Sequence, residues 1–177
     1  MIQRVCRQLF VVLALAGSVA CGYSLAGRGT FLPAHIRVIG VPTFTNLTSV
    51  YDIERRITER VRSELTGRGK YRVEPSATGV DAVIAGEITS ITVNPIAHND
   101  QRQATRYQIV LTAKIEFRDV TSNKIIWSNP SMQFREDYGI TGTTADPAAF
   151  FGQDADALNR MATEFARTLV SAILEAF

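Results

Sequence analysis

From Tyr107 to Phe117 the chain alternates apolar and polar residues almost without a break. Tyr107, Ile109, Leu111, Ala113, Ile115 and Phe117 fall on one side; Gln108, Thr112, Lys114 and Glu116 fall on the other, with Val110 the exception. A period of two marks a half-buried strand, so this segment predicts an antiparallel strand with one solvated face. Asp119 to Asn123 (DVTSN) is turn chemistry, and Lys124 to Tyr138 predicts the strand that returns beside it. Pro130 has no N–H to give a ladder, so that strand lies at an edge or breaks there. Asp81 to Asn94 predicts a third strand, whose alternation changes phase near Ser90 and so calls for a bulge. Ile36 to Val41 and Tyr71 to Glu74 are shorter β-branched or mixed runs that predict short strands. Pro95 to Thr105 has no periodicity and predicts a loop.

Two segments carry the other period. In Tyr51 to Leu65, Ile53, Ile57, Val61 and Leu65 recur every fourth residue and share one helix face. Ser49 with Asp52 approximates a capping box, and Gly67 and Gly69 stop the helix. Ala155 to Phe177 predicts a final helix capped by Asp154. Its apolar stripe is Leu158, Met161, Phe165, Leu169, Ala172 and Ile173; Asn159, Arg160, Thr163, Arg167 and Ser171 face water. Gly139 to Gly152 predicts a loop. The order β-α-β-β-β-β-α implies an α+β two-layer sandwich, with two helices on one face of a mixed four- to five-stranded sheet.

The N-terminus follows neither period. Arg4 and Arg7 precede an apolar run, Leu9 to Ala16, that is far shorter than the ~20 residues a membrane-spanning helix needs. Small residues Gly17, Ser18 and Ala20 follow. This is the layout of a signal peptide over residues 1–20. Cleavage there removes Cys6, leaves Cys21 without an intrachain partner and excludes a disulfide framework. Ser18-Val19-Ala20-Cys21 resembles a bacterial lipobox, in which the cysteine becomes the acylated N-terminus. Ser18 departs from that pattern, which prefers Leu there, and an ordinary secreted protein with a free Cys21 thiol, cleaved near Ala20, is the alternative. Two or three acyl chains give stable anchoring, and Gly22 in place of Asp favours the outer membrane. Residues 21–34 then read as a lipidated tether, and residues 35–177 as one α+β domain.

Charge narrows the function further. Lys plus Arg total 19 and Asp plus Glu 17, and losing Arg4 and Arg7 brings the two into balance. A neutral chain gives no electrostatic footprint for nucleic acid. His35 and His98 lie in predicted loops without metal-ligand spacing, so they predict solvated histidines and no metal or other cofactor. No nucleophile elbow, zincin or phosphate-loop motif occurs, and Asp154 and Asp156 suit a helix N-terminus better than an acid pair. The chain therefore predicts no enzyme. Trp127 predicts a residue packed on the edge of the core rather than a ligand platform. The one charge feature of interest is the run Arg55, Arg56, Arg60, Arg62, Arg68, Lys70 and Arg72, interspersed with Glu54, Glu59 and Glu64. It reads as a solvated, paired face or as a site for an anionic partner such as lipid phosphate; Arg55, Arg56, Arg60 and Arg62 are its candidate contacts.

Cys21-Gly22-Tyr23-Ser24-Leu25, Leu32-Pro33 and the strand Ile36 to Val41 followed by Pro42-Thr43-Phe44-Thr45-Asn46 together resemble the LPS-assembly lipoprotein family, LptE. The turn and IIW of Asp119 to Trp127 and the C-terminal amphipathic helix fit the same family. The resemblance implies a non-catalytic outer-membrane lipoprotein. Such proteins plug and help assemble the β-barrel translocon LptD, which delivers lipopolysaccharide to the outer leaflet. Cys21 is the one residue whose role the resemblance carries over. The strand-Pro-x-Phe-x-Asn segment also occurs in lipoproteins that activate cell-wall synthases or serve secretion channels, so regulation of another envelope machine is the alternative.

Overall fold

The computed structural model describes residues 32–68, 70–139, 146–153 and 155–176. Among the described residues nine elements follow in chain order: β1 (Val38–Gly40), β2 (Thr45–Asn46), α1 (Ile53–Gly67), β3 (Arg72–Glu74), β4 (Ala82–His98), β5 (Ala104–Asp119), β6 (Ile125–Gly139), α2 (Pro147–Gln153) and α3 (Ala155–Leu174). One mixed sheet has the order β3-β1-β4-β5-β6, with β2 also on β4. β1 pairs β3 and β4 in parallel, and β2 pairs β4 in parallel. The three long strands form an antiparallel meander. This is the expected α+β architecture with a mixed sheet, enlarged by the two-residue β2 and the short α2.

The core lies between the sheet and the helices. Ile53, Ile57, Val61 and Leu65 of α1 are completely buried, as their fourfold spacing demands. Leu158, Met161, Phe165, Leu169 and Ile173 of α3 join them, whereas Ala172 stays half-buried. The sheet supplies Ile84, Ile88, Ile91 and Val93 from β4 and the whole apolar row of β5. The predicted bulge is present: the β4–β5 register shifts between Ile88 and Ser90. That shift keeps Ile84, Ile88, Ile91 and Val93 on one face although their parity changes. β6 is an edge strand, and Pro130 falls inside a register shift between the Asn129 and Met132 pairings, where no donor is required. Trp127 pairs with Phe117 and packs half-buried against the core.

Three local expectations are corrected. Ser49 does not cap α1; the cap residue is Asp52, which sits at φ 67 and makes no side-chain cap bond. Its carboxylate is held instead by Arg55 and Arg56. The stretch expected to be a loop from Gly139 to Gly152 contains α2. There Pro147 stands at the first helical position and the Asp146 side chain accepts the Ala149 N–H at 3.0 Å. Phe150 and Phe151 of α2 are buried, with Phe150 edge-on to Tyr107 at 5.6 Å between ring centres. The loop Pro95 to Thr105 shrinks to residues 99–103, because the β4–β5 ribbon continues past the helices to His98 and Ala104. The Asn99 side chain closes the turn by accepting the Gln101 and Gln103 N–H groups. With little core above it, this end of the ribbon shows no alternation from which a strand could be read. The signal segment, Cys21 and Asp154 lie outside the described residues.

Candidate functional site

α1 and α3 pack side by side and run the same way. Arg56 Nη1 donates to Asn159 Oδ1 at 2.6 Å near one end, and Arg68 Nη2 donates to Ser171 Oγ at 3.0 Å near the other. The arginines of α1 therefore meet polar residues of α3 that lie about a hundred positions later in the chain. Two adjoining hollows result, sharing Arg60 and Asn159. One is completed by Arg55, Arg56, Glu59 and Ser63. The other is completed by Glu136, Arg160, Thr163 and Glu164.

The four candidate arginines are not equivalent. Arg55 grips Asp52 with Nε and Nη2 at 2.6 and 2.7 Å and reaches Glu59 at 3.1 Å. Those two carboxylates, Asp52 first, push the Arg55 guanidinium further into its charged range. Arg56 reaches Asp52 at 3.2 Å and Asn159. Arg62 leaves the cluster: its Nε donates to the Val41 carbonyl at 2.8 Å, which ties α1 to the end of β1. Arg60 is exposed and makes no hydrogen bond or ion pair with a described residue. It is the cation of this helix still able to take an anion.

α3 adds what the local sequence could not show. Arg160 lies over the Tyr138 ring at 5.3 Å, so its guanidinium is positioned beside the groove. Glu136 points from the core face of β6 toward the same place, and burial first, then the neighbouring Glu164, raises its pKa. The groove is thus mixed in charge, with Arg60 and Arg160 set among Glu59, Glu136 and Glu164. It suits a ligand that offers both phosphate and hydroxyl or amide groups better than a bare anion.

The remaining candidate positions are structural. His35 was expected to be solvated, but its Nε2 lies 2.9 Å from Asp119 Oδ2. Asp119 is only 5% exposed and is held at a pKa of about 2, first by the Ser122 N–H and further by His35 and the Thr121 N–H. His98 is exposed at the end of β4, and Asp156 stands in the first turn of α3. Among the described residues there is no cluster able to hold a metal ion. No helix there is long and apolar enough to cross a membrane.

Residues 36–173 match the family model of LptE, lipopolysaccharide-assembly. The chain belongs to the LptE family. Solved structures add the fold. Lipoprotein B from Nitrosomonas europaea aligns with TM-score 0.50 and 14% identity, over 88% of this chain and 94% of that one. A PelC dodecamer from Paraburkholderia phytofirmans gives 0.50 and 15%, over 82% and 92%. Protein CT253 from Chlamydia trachomatis gives 0.50 and 11%, over 80% and 99%. No curated protein matches the chain in sequence.

In this LptE-family chain the Pro-Thr-Phe-Thr-Asn segment has a structural reason. Phe44 is buried against Gly86, where a Cβ would stand 2.5 Å from the ring. The Phe44 N–H donates to Thr58 Oγ1 at 3.0 Å, and that hydroxyl donates to the Glu54 carbonyl at 2.5 Å. Buried Thr58 is thereby satisfied, and β2 is fastened to α1.

Proposed function

We propose that this protein is an outer-membrane lipoprotein, acylated at Cys21, that plugs and helps assemble an LptD-type β-barrel for lipopolysaccharide transport. Membership of the LptE family is the observation that carries this reading. On it, residues 1–20 are removed, residues 21–34 tether the fold to the membrane, with Leu32 near the end of the tether already packed in the core, and residues 35–177 form the working domain. The role is non-catalytic. Two features of the fold support it. The sheet face away from the helices carries Gln108, Thr112, Lys114, Glu116 and Gln133, polar groups that suit the wet lumen of a wide barrel. The groove around Arg60 offers that exposed guanidinium to the phosphates of lipopolysaccharide, while Arg55 and Arg56 beside it are held by Asp52. Arg62, committed to Val41, takes no part in that contact.

The test is affinity purification of the tagged full chain from its own envelope, with fatty-acid labelling. A barrel of LptD type should copurify. Label should appear on the wild type and vanish in Cys21→Ala. Copurification with a membrane-anchored cell-wall synthase or a secretion channel instead would replace the barrel reading by the regulatory one.

A further inference from the structure

The turn between β2 and α1 exposes two large apolar side chains, Leu47 at 61% and Tyr51 at 90%. A loose loop could do this without meaning, but this turn is fastened throughout. Asn46 Nδ2 donates to the Val50 carbonyl and to Glu54, each at 2.9 Å. Asn46 Oδ1 accepts the Thr48 N–H and hydroxyl at 2.9 and 2.8 Å. The Val50 N–H donates to Thr48 Oγ1, and the Leu47 N–H donates to the Ile88 carbonyl on β4. Val50 is buried beneath the turn. Asp52, next to Tyr51, takes the left-handed conformation with φ 67, which Asp adopts more readily than most residues. Arg55 and Arg56 hold its carboxylate in place.

We infer that Leu47 and Tyr51 form a preformed docking knob for a protein surface, and that this surface belongs to the barrel partner. The inference rests on the barrel reading above. A rigid turn loses little freedom on binding, and an aromatic with a hydroxyl at its tip is the side chain protein interfaces favour at their centre. The charges beside the knob decide between protein and lipid. The charges that follow Tyr51 balance, Asp52 and Glu54 against Arg55 and Arg56, with Asp52 held by both arginines and Glu54 bonded to Asn46, so the turn itself carries no excess cation to draw Tyr51 to anionic lipid. The matching site is therefore an uncharged apolar socket with an acceptor for the Tyr51 hydroxyl.

Two measurements on the full chain in its own envelope test this. With p-benzoylphenylalanine at position 51, irradiation should give an adduct of the mass of the barrel; an adduct with lipid alone, or none, overturns the inference. Leu47→Ala combined with Tyr51→Ala should lower the copurifying barrel about ten-fold, the scale of a truncated aromatic anchor, with melting unchanged because neither residue is in the core. Undiminished barrel with the double variant overturns the knob and leaves the barrel reading standing. If the unaltered chain brings down no barrel, the barrel reading itself fails, and the knob with it.

Discussion

Between Tyr107 and Phe117 the two faces of β5 come from alternate residues and live under opposite rules. Tyr107, Ile109, Leu111, Ala113, Ile115 and Phe117 are buried beneath the helices, each no more than 1% exposed. Gln108, Thr112, Lys114 and Glu116 stay in contact with solvent on the other side, away from the described helices. On the covered face the transfer of apolar area from water determines every residue. On the open face it determines none, and residues there are free to meet a partner. The sheet thus separates what holds the protein together from what it offers to others.

The largest expected effect breaks that separation directly. Leu111→Asp or Ile115→Asp would put an unpaired carboxylate into a dry core and should cost several kcal/mol, enough to unfold the domain. Thr112→Asp, one residue away, should cost less than about 1 kcal/mol because its face is hydrated. Urea melts of the purified variants decide. Equal damage at positions 111 and 112 would show that the open face is covered even in the isolated protein.

The same contrast explains what was legible in the sequence. Wherever one face is buried and the other wet, periodicity was informative: β5, the bulge in β4, and the stripes of α1 and α3 all follow from it. Where burial is not periodic the pattern failed. Phe150 and Phe151 are adjacent and both buried, so α2 shows no amphipathic spacing, and only Asp146-Pro147 marked a helix start. The cap at Asp52 is set by two arginines that follow it, not by the Ser49 spacing. In the groove, the contribution of α1 was visible but that of α3 was not. Nothing local places Asn159 and Arg160 beside Arg56 and Arg60; the parallel packing of the helices does.

A second pair of regions gives an effect of middle size. Asp81 and Asp119 are carboxylates turned to the ends of strands rather than to solvent. Asp81 accepts the Arg37 and Val38 N–H groups at 2.8 Å, and these hold its pKa below the ordinary value. Asp119 goes down to about 2 for the reasons given above. Both shifts are downward, so the stability they supply is present above the unfolded carboxylate value and disappears as pH falls through the folded one. Melting temperature should therefore drop between about pH 4 and about pH 2. Asp119→Asn should melt lower than wild type at neutral pH and lose less on acidification. A wild-type melting temperature that stays flat across this interval would remove Asp119 and Asp81 as the acid-sensitive fastenings.

The smallest effect on stability separates two arginines of α1 that stand two residues apart. They project about 200° from each other around the helix, since each residue turns it by about 100°. Arg62 faces β1 and donates to the Val41 carbonyl. Arg60 faces the groove between α1 and α3. Arg62→Ala removes the donor from a carbonyl beside the core and should cost about 1 kcal/mol, the usual worth of such a bond. Arg60→Ala removes no bond and should change stability by less than about 0.5 kcal/mol. Binding should rank them the other way. If the groove takes phosphate groups, Arg60→Glu should weaken retention on immobilised lipopolysaccharide, while Arg62→Ala, in a domain that still folds, should not. The loss at Arg60 should shrink as salt is added, because an exposed guanidinium attracts its anion through screened water, with a screening length of about 8 Å at physiological ionic strength. Arg56→Glu is the less clean probe: it would also release Asp52 from its left-handed turn and unfasten Asn159 on α3, so a binding loss there would mix geometry with charge. Retention unchanged by Arg60→Glu at low salt would mean that the groove is only a hydrated seam between two helices. Retention lost equally in Arg60→Glu and Arg62→Ala would mean that the position of α1 matters rather than the charge it carries.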